Sequence, residues 1–258
     1  SVTESDVVMK AGSQIADLMG EGAYQKSQLR TDTDLCDIQI DYIQYFRKSK
    51  YWKYINSTVK ASALHDYFSQ LRGFSTVYAE GADEHAADQP KGEYRADISE
   101  FFRDGELVSL RSRYAGRSGG EHGWRGLDSM NFGGSDCGSF TLEDLFALDE
   151  SQALQIIKRC DEILRLEGFT FGTGEDGTPI SLTDEVDGTF LTATEMLEHF
   201  NFNDQGVVLN FDSVIDSPHV AGEFDVTVPW TAWDYEIEES YDQTHVARFI
   251  EMNRGSAH

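Results

Sequence analysis

The spacing of apolar positions changes period several times along the first ninety residues. Val7, Val8, Ala11, Ile15, Leu18 and Met19 recur at helical spacing. Thr3 with Asp6 forms a capping-box pattern, and Gly20 and Gly22 end the run, so residues 3–20 read as an amphipathic helix. Residues 35–46 alternate and are rich in Ile and Tyr, which predicts a strand. Trp52, Ile55, Val59, Ala63, Tyr67 and Leu71 mark one stripe of a helix over 51–72, with Gly73 as its stop. Phe74–Ala79 reads as a second strand. The polar stretch from Glu80 to Gly92 reads as a linker or a long hairpin loop.

Beyond it the pattern favours hairpins. Strands are predicted over Tyr94–Phe102 and Glu106–Tyr114, joined through Arg103-Asp104-Gly105, because Asp-Gly suits a tight hairpin turn. A Gly-rich loop covers 115–123, and Trp124–Phe132 reads as a third strand. Thr141–Phe146 reads as a short capped helix. Residues 150–166 form the most regular helix, capped by Asp149 with Gln152. Its core face carries Ala153, Ile156, Ile157, Cys160, Ile163 and Leu164. Residues 173–188 read as an acidic, Gly-rich loop, and Thr192 with Glu195 caps a helix through His199. Val207–Phe211 and Glu223–Val228 read as strands, Pro229 ending the second. Segregated helices and hairpins give an α+β class: an antiparallel sheet crossed by a helix, with a smaller N-terminal α/β sub-domain. The expected divisions are 1–90, 91–245 and a tail at 246–258.

Composition narrows the function classes. The 258 residues carry 46 acids against 21 bases, a net charge of −25. Nucleic acid is excluded as a partner, since binding it requires clustered Lys and Arg. With a mean hydropathy of −0.45 and no apolar run near ~20 residues, no membrane span is expected. Residues 1–90 hold 13 acids and 9 bases, and residues 91–258 hold 33 and 12. No base falls between Arg165 and Arg248. Such a surface is either solvated or steers a cationic partner.

Three cysteines form no motif. Cys36 falls in phase with Ile38 and Ile40, and Cys160 with the helix stripe, so both read as small buried hydrophobes. Cys137, in a Gly-rich loop, reads as the exposed one. Glu121-His122-Gly123-Trp124 is the most chemical-looking segment. It is either a base, ligand or contact loop, or a turn whose His bonds backbone and whose Trp packs. No ligand spacing supports a metal, and no cofactor motif is found. Glu175-Asp176-Gly177 and Asp184–Gly188 depart from calcium-loop spacing and read as acidic turns. Ser118 with His122 lacks an elbow and a positioned acid for hydrolase chemistry. Residues 91–125, with Arg111, Arg113, Arg117 and Arg125, form a locally basic stretch, read either as a patch or as internal ion pairs.

The order of short motifs is itself informative. It runs Ser109-Leu110, Tyr114, Gly119-Gly120-Glu121-His122-Gly123, Phe140–Phe146, Phe202–Phe211, His219-Val220-Ala221-Gly222 and Val226–Trp230. This order resembles the bacterial extracytoplasmic domain family of unknown function shared by the anti-sigma factor RsiV and the peptidoglycan deacetylase PdaC. Ile55-Asn56-Ser57-Thr58-Val59 is similar to the helix motif of its usual N-terminal partner. Glu121 stands where the family has Ala, and the loop after Tyr114 is longer. Sigma-factor control and deacetylation are not carried over. The resemblance implies an α+β fold and a place in the periplasm or at the cell surface, any membrane anchor lying upstream of Ser1. It also implies a binding role, lysozyme being a known partner of one member. The expectation is a non-enzymatic binding or sensing domain for a cationic protein such as lysozyme, or for a cell-wall fragment. Glu121, His122, Trp124 and Arg117 are its candidate contacts. The rival expectation is a hydrolase or metal-dependent enzyme acting on envelope polymers.

Overall fold

A computed structural model describes residues 24–80, 91–118, 123–166, 182, 192–211 and 224–255. The helix expected over 3–20, most of the linker and the acidic loop at 173–188 lie outside them, Leu182 apart. Two compact units divide the chain: Ser1–Glu100 with Arg111–Gly126, and Phe101–Leu110 with Leu127–His258. The break expected at 90/91 is not where they part. Three long strands, β3 (Gly92–Asp104), β4 (Leu107–Arg117) and β5 (Trp124–Gly133), each run from one unit into the other. With β1 (Tyr24–Asp32) and β2 (Cys36–Tyr45) they form a five-stranded sheet in the order β1-β2-β3-β4-β5. The fold is α+β, as the patterning implies.

In the first unit, β1 and β2 pair antiparallel from Tyr24↔Tyr45 to Asp32↔Asp37. β2 and β3 pair parallel from Cys36↔Gly92 to Tyr42↔Ile98. A parallel neighbour requires a crossover. α1 (Lys50–Glu80) supplies it and packs on β2. Its buried stripe is Trp52, Ile55, Val59, Ala63, Tyr67 and Phe74; the inward side chains of the sheet are Leu29, Ile38, Ile40, Tyr42, Tyr94 and Ile98. Asn56 closes the end of β2: its Oδ1 accepts from the Tyr45 N–H and its Nδ2 donates to the Tyr45 carbonyl, both at 2.8 Å.

Two expectations fail here for identifiable reasons. Residues 74–79 are not a strand, because α1 continues through them. Phe74 lies seven residues beyond Tyr67, in phase with the buried stripe, and Gly73 does not take a positive φ. Ser75 and Thr76 donate to the Leu71 and Arg72 carbonyls, at 2.7 and 3.0 Å, which seats hydroxyl residues in a helix. β1 went unpredicted because its inward positions include Ser27 and Thr31, polar residues that blur the alternation.

In the second unit, β6 (Phe200–Phe202), β7 (Gly206–Asn210) and β8 (Asp225–Pro229) form an antiparallel sheet. α2 (Leu142–Phe146), α3 (Glu150–Leu166), α4 (Ala193–Met196) and α5 (His245–Gly255) complete it among the described residues. The caps are those the sequence indicates. Asp149 and Gln152 exchange backbone-to-side-chain bonds of 2.8 and 2.9 Å, and Thr192 and Glu195 form a full capping box. Gly105 at the β3–β4 turn takes φ +59, as the Asp-Gly hairpin requires. α3 buries Ala153, Ile156, Ile157, Cys160 and Leu164, while Ile163 is only half-buried. Residues 246–255 are no tail: Val246, Phe249 and Ile250 are buried in this core, where Phe249 meets Phe102, Phe202 and Trp230.

That core contains one polar seam. Ser109 donates to Asn131 at 2.7 Å and accepts from Asn201 at 2.8 Å. Asn131 donates to the Phe200 carbonyl and Asn201 to that of Leu110. All three side chains are buried, and the network joins β4 and β5 to β6 through bonds specific in direction.

Candidate functional site

Trp124 opens β5 and Arg117 closes β4, so the two bracket the Gly-rich loop. Glu121 and His122 lie within that loop, outside the described residues. The geometry around the two brackets is well defined. The indole of Trp124 lies over Gly116, where a Cβ would come within 2.5 Å of Cζ2. The same two strands repeat the device, Tyr114 lying over Gly126, where a Cβ would strike its hydroxyl oxygen. Only glycine lets a ring settle this close to a neighbouring strand. Phe74 of α1 stands beside Trp124, ring centroids 6.4 Å apart, and Tyr94 stacks on Tyr114 at the same separation. A shelf of aromatic rings thus continues the inward face of the first unit to its rim. Trp124 ends the shelf, still 37% exposed. Half-exposed and fixed by packing, an aromatic ring offers contact area at little entropic cost.

Arg117 does not join that shelf. Successive side chains on a strand alternate in face, and Gly116 holds the Trp124 side. Arg117 instead pairs with Glu93 at 2.6 Å. The same outer face carries Arg95 paired with Asp37, Lys91 with Asp32, and Lys26 with Asp97 at 2.7 Å. Lys91 accordingly holds the Asp32 carboxyl below its usual range. Of the two readings of the locally basic stretch, internal ion pairing describes Lys91, Arg95 and Arg117. Arg111 is buried rather than presented to solvent.

Cys137 is half-buried, not the exposed cysteine its loop composition implies. Its Sγ lies against Gly133, where a Cβ would meet it at 2.7 Å. Burial first, then the Asp136 and Asp144 charges, push its thiol up to about 11. Beside it, Asp136 accepts from the backbone N–H of His245 at 3.3 Å and meets its Nδ1 at 2.7 Å. Burial alone would raise the Asp136 carboxyl, but the His245 bonds outweigh it and hold it below the usual range. This arrangement ties the start of α5 to the Gly133–Gly138 loop, and its thiol is the reverse of an activated nucleophile. All three cysteines are free. Among the described residues no three His, Cys, Asp or Glu side chains gather as a metal would require, and no helix is long and apolar enough to cross a membrane.

Sequence reasoning found Trp124 but missed its support, Gly116, Phe74 and Tyr114. The signal was present: Gly116 and Trp124 are as far from the loop centre as one another, as an antiparallel pair must be.

No family model matches the chain, and no curated protein matches it. Solved structures do. One is a member of the DUF3298 family from Bacteroides fragilis, 15% identical, with a TM-score of 0.61 over 86% of this chain and 96% of that one. Another is a DUF3298 family protein from Pseudomonas aeruginosa, 13% identical, with a TM-score of 0.55 over 85% and 94%. At these identities the likeness is one of fold, shared with bacterial proteins of a domain family of unknown function.

Proposed function

We propose that the chain is a non-enzymatic binding or sensing domain working outside the cytoplasm, and that it takes a cationic protein at the Trp124 rim of the first unit. The observation that carries this reading is Trp124 itself, an indole left 37% exposed yet fixed between Gly116 and Phe74 at the border of a loop. The resemblance to the RsiV and PdaC domain makes c-type lysozyme the first candidate. The net charge of −25 favours encounter with a basic protein, within a range of roughly 10 Å at ~0.1 M salt. Charge governs the rate of approach, whereas specific affinity needs an anchor, the role this reading gives the indole. Glu121 and His122 are its polar contacts.

Calorimetric titration with a c-type lysozyme at low and high salt tests this. The expected result is binding that weakens with salt and falls at least tenfold in Trp124→Ala. Absence of binding at low salt rejects the lysozyme reading. Binding that vanishes at modest salt and ignores Trp124→Ala is charge attraction alone and removes the site. Capture of peptidoglycan fragments instead, dependent on Trp124, moves the occupant to the cell wall. Turnover of an envelope polymer, lost on His122→Ala, replaces the reading with an enzyme.

A further inference from the structure

Residues 229–247 hold five acids and neither Lys nor Arg. Aromatic residues recur in the same stretch, and two of their rings meet a third from α2. Trp233 stacks on Phe146 at 5.4 Å between ring centroids, and Tyr235 lies 6.4 Å from Phe146 and 6.1 Å from Trp233. Phe146 and Trp233 are buried, and Tyr235 is half-buried. Aromatic faces beside carboxylates are the chemistry that recognises a cation. One cation already sits there. Arg254, in the last turn of α5, holds its guanidinium over the Phe146 ring, 5.4 Å from the centroid. Its Nη2 donates to the Tyr235 carbonyl at 2.8 Å. The Asp234 and Glu251 charges lie close enough to act on it.

The seat serves this guanidinium poorly. The Arg254 Nε–H is buried and finds no acceptor among the described residues. A buried donor left unsatisfied is costly, the more so when it is charged. Burial accordingly pulls Arg254 below the usual arginine range, against the opposing effect of Asp234 and Glu251. A guanidinium tethered to α5 is not free to turn toward better acceptors. Nor does Arg254 anchor the core. It lies one turn beyond Ile250, the last buried residue of α5, and beside the helix end at Gly255. A terminal turn opens at little cost.

We infer that Phe146, Tyr235 and the acids around them form a binding site for an arginine side chain of a partner protein, which Arg254 occupies in cis as a competitor. An arginine arriving from outside brings the same planar charge without the constraint of α5. The base-free acidic stretch draws it in. The site belongs to the second unit and is independent of the Trp124 reading.

NMR titration of the full chain with methylguanidinium, at ionic strength matched with sodium chloride, tests this. Arg254→Ala opens the seat and should bind methylguanidinium at least about tenfold more tightly than the parent, because only the open fraction of the parent is competent. The shifted amides should lie at residues 145–147 and 233–236. Methylurea, of the same shape without the charge, should not bind. Phe146→Leu added to Arg254→Ala should weaken binding about fivefold, through loss of the aromatic face. In the parent, methylguanidinium should displace the Arg254 Nε–H and broaden its signal by exchange with solvent, a readout that needs no variant. N-acetylarginine methylamide, which presents the side chain as a peptide does, should bind at least as well as methylguanidinium. Equal affinities of the parent and Arg254→Ala overturn the inference. So do an equal response to methylurea, shifts that lie elsewhere, an Arg254 Nε–H signal that ignores the titration, or exclusion of N-acetylarginine methylamide.

Discussion

The two units bury their apolar residues by different means. The first is a helix on one face of a sheet, and the other face carries paired charges: Arg95 with Asp37, Arg117 with Glu93, Lys26 with Asp97. The second packs helices and two sets of strands around Phe140, Phe200, Phe202, Trp230 and Phe249, and runs a buried amide network through them. The first therefore keeps a solvated face and an aromatic rim, where substitution is tolerated and contact with another molecule is open. The second is over-determined, each buried polar group depending on the next. Stability should concentrate in the second unit, and recognition at the rim of the first.

The sharpest attempt to break this contrast is Phe249→Ala. Loss of a buried aromatic from a core cluster costs about 3–5 kcal/mol. Urea unfolding measures it, and an effect under about 1 kcal/mol would return residues 246–258 to the status of a tail. Next comes a matched pair. Asn201→Ala removes the amide that donates to the Ser109 hydroxyl and to the Leu110 carbonyl inside the core, an expected loss of about 2–3 kcal/mol. Arg117→Ala removes only an exposed ion pair and should cost at most about 1 kcal/mol. Similar losses in the two variants would dissolve the distinction.

Gly116→Ala should disturb the rim alone. The added methyl meets the indole at 2.5 Å, so the ring must lift away, at about 1–3 kcal/mol. The expected signature is a red shift of tryptophan fluorescence without loss of the fold. The smallest expected effect on the fold comes from labelling Cys137. With its thiol at about 11 rather than 9.0, the thiolate share at pH 8 is about 100-fold below that of an ordinary cysteine. A thiol reagent should react with the native chain slower by that factor. The rate should rise about tenfold per pH unit up to pH ~10, and a rate equal to that of the unfolded chain would show the Gly133–Gly138 loop to be open.

How much of this was legible in the residues follows from physical cause. Helices with a cap and an apolar stripe were readable, as α3 shows, because Asp149, Gln152 and the Ile156–Ile157–Cys160 spacing act locally. So were the β3–β4 hairpin and β5. α1 was cut short because Gly73 and the β-branched Thr76 and Val77 read as a break, whereas tertiary burial of Phe74 carries the helix past them. β1 was hidden by Ser27 and Thr31, whose burial depends on β2 and cannot be inferred from β1 itself. The two-unit division was illegible because it falls inside strands, where no composition changes. Trp124 was visible as a residue beside a Gly-rich loop. That Arg117 faces away from it follows from strand alternation, which became usable once β4 was known to extend to Arg117.

Recognition at the first unit's rim and stability in the second unit's core should respond to different substitutions. Measuring unfolding free energy and c-type lysozyme affinity together, for Trp124→Ala and Asn201→Ala, tests it most directly. Trp124→Ala is expected to lose at least tenfold in affinity with less than about 2 kcal/mol of stability, because a half-exposed ring contributes less to the core than a buried one. Asn201→Ala is expected to lose more stability than that, while its folded fraction binds within twofold of the parent. Equal affinities for the two variants, or a loss of affinity in Asn201→Ala alone, would contradict it.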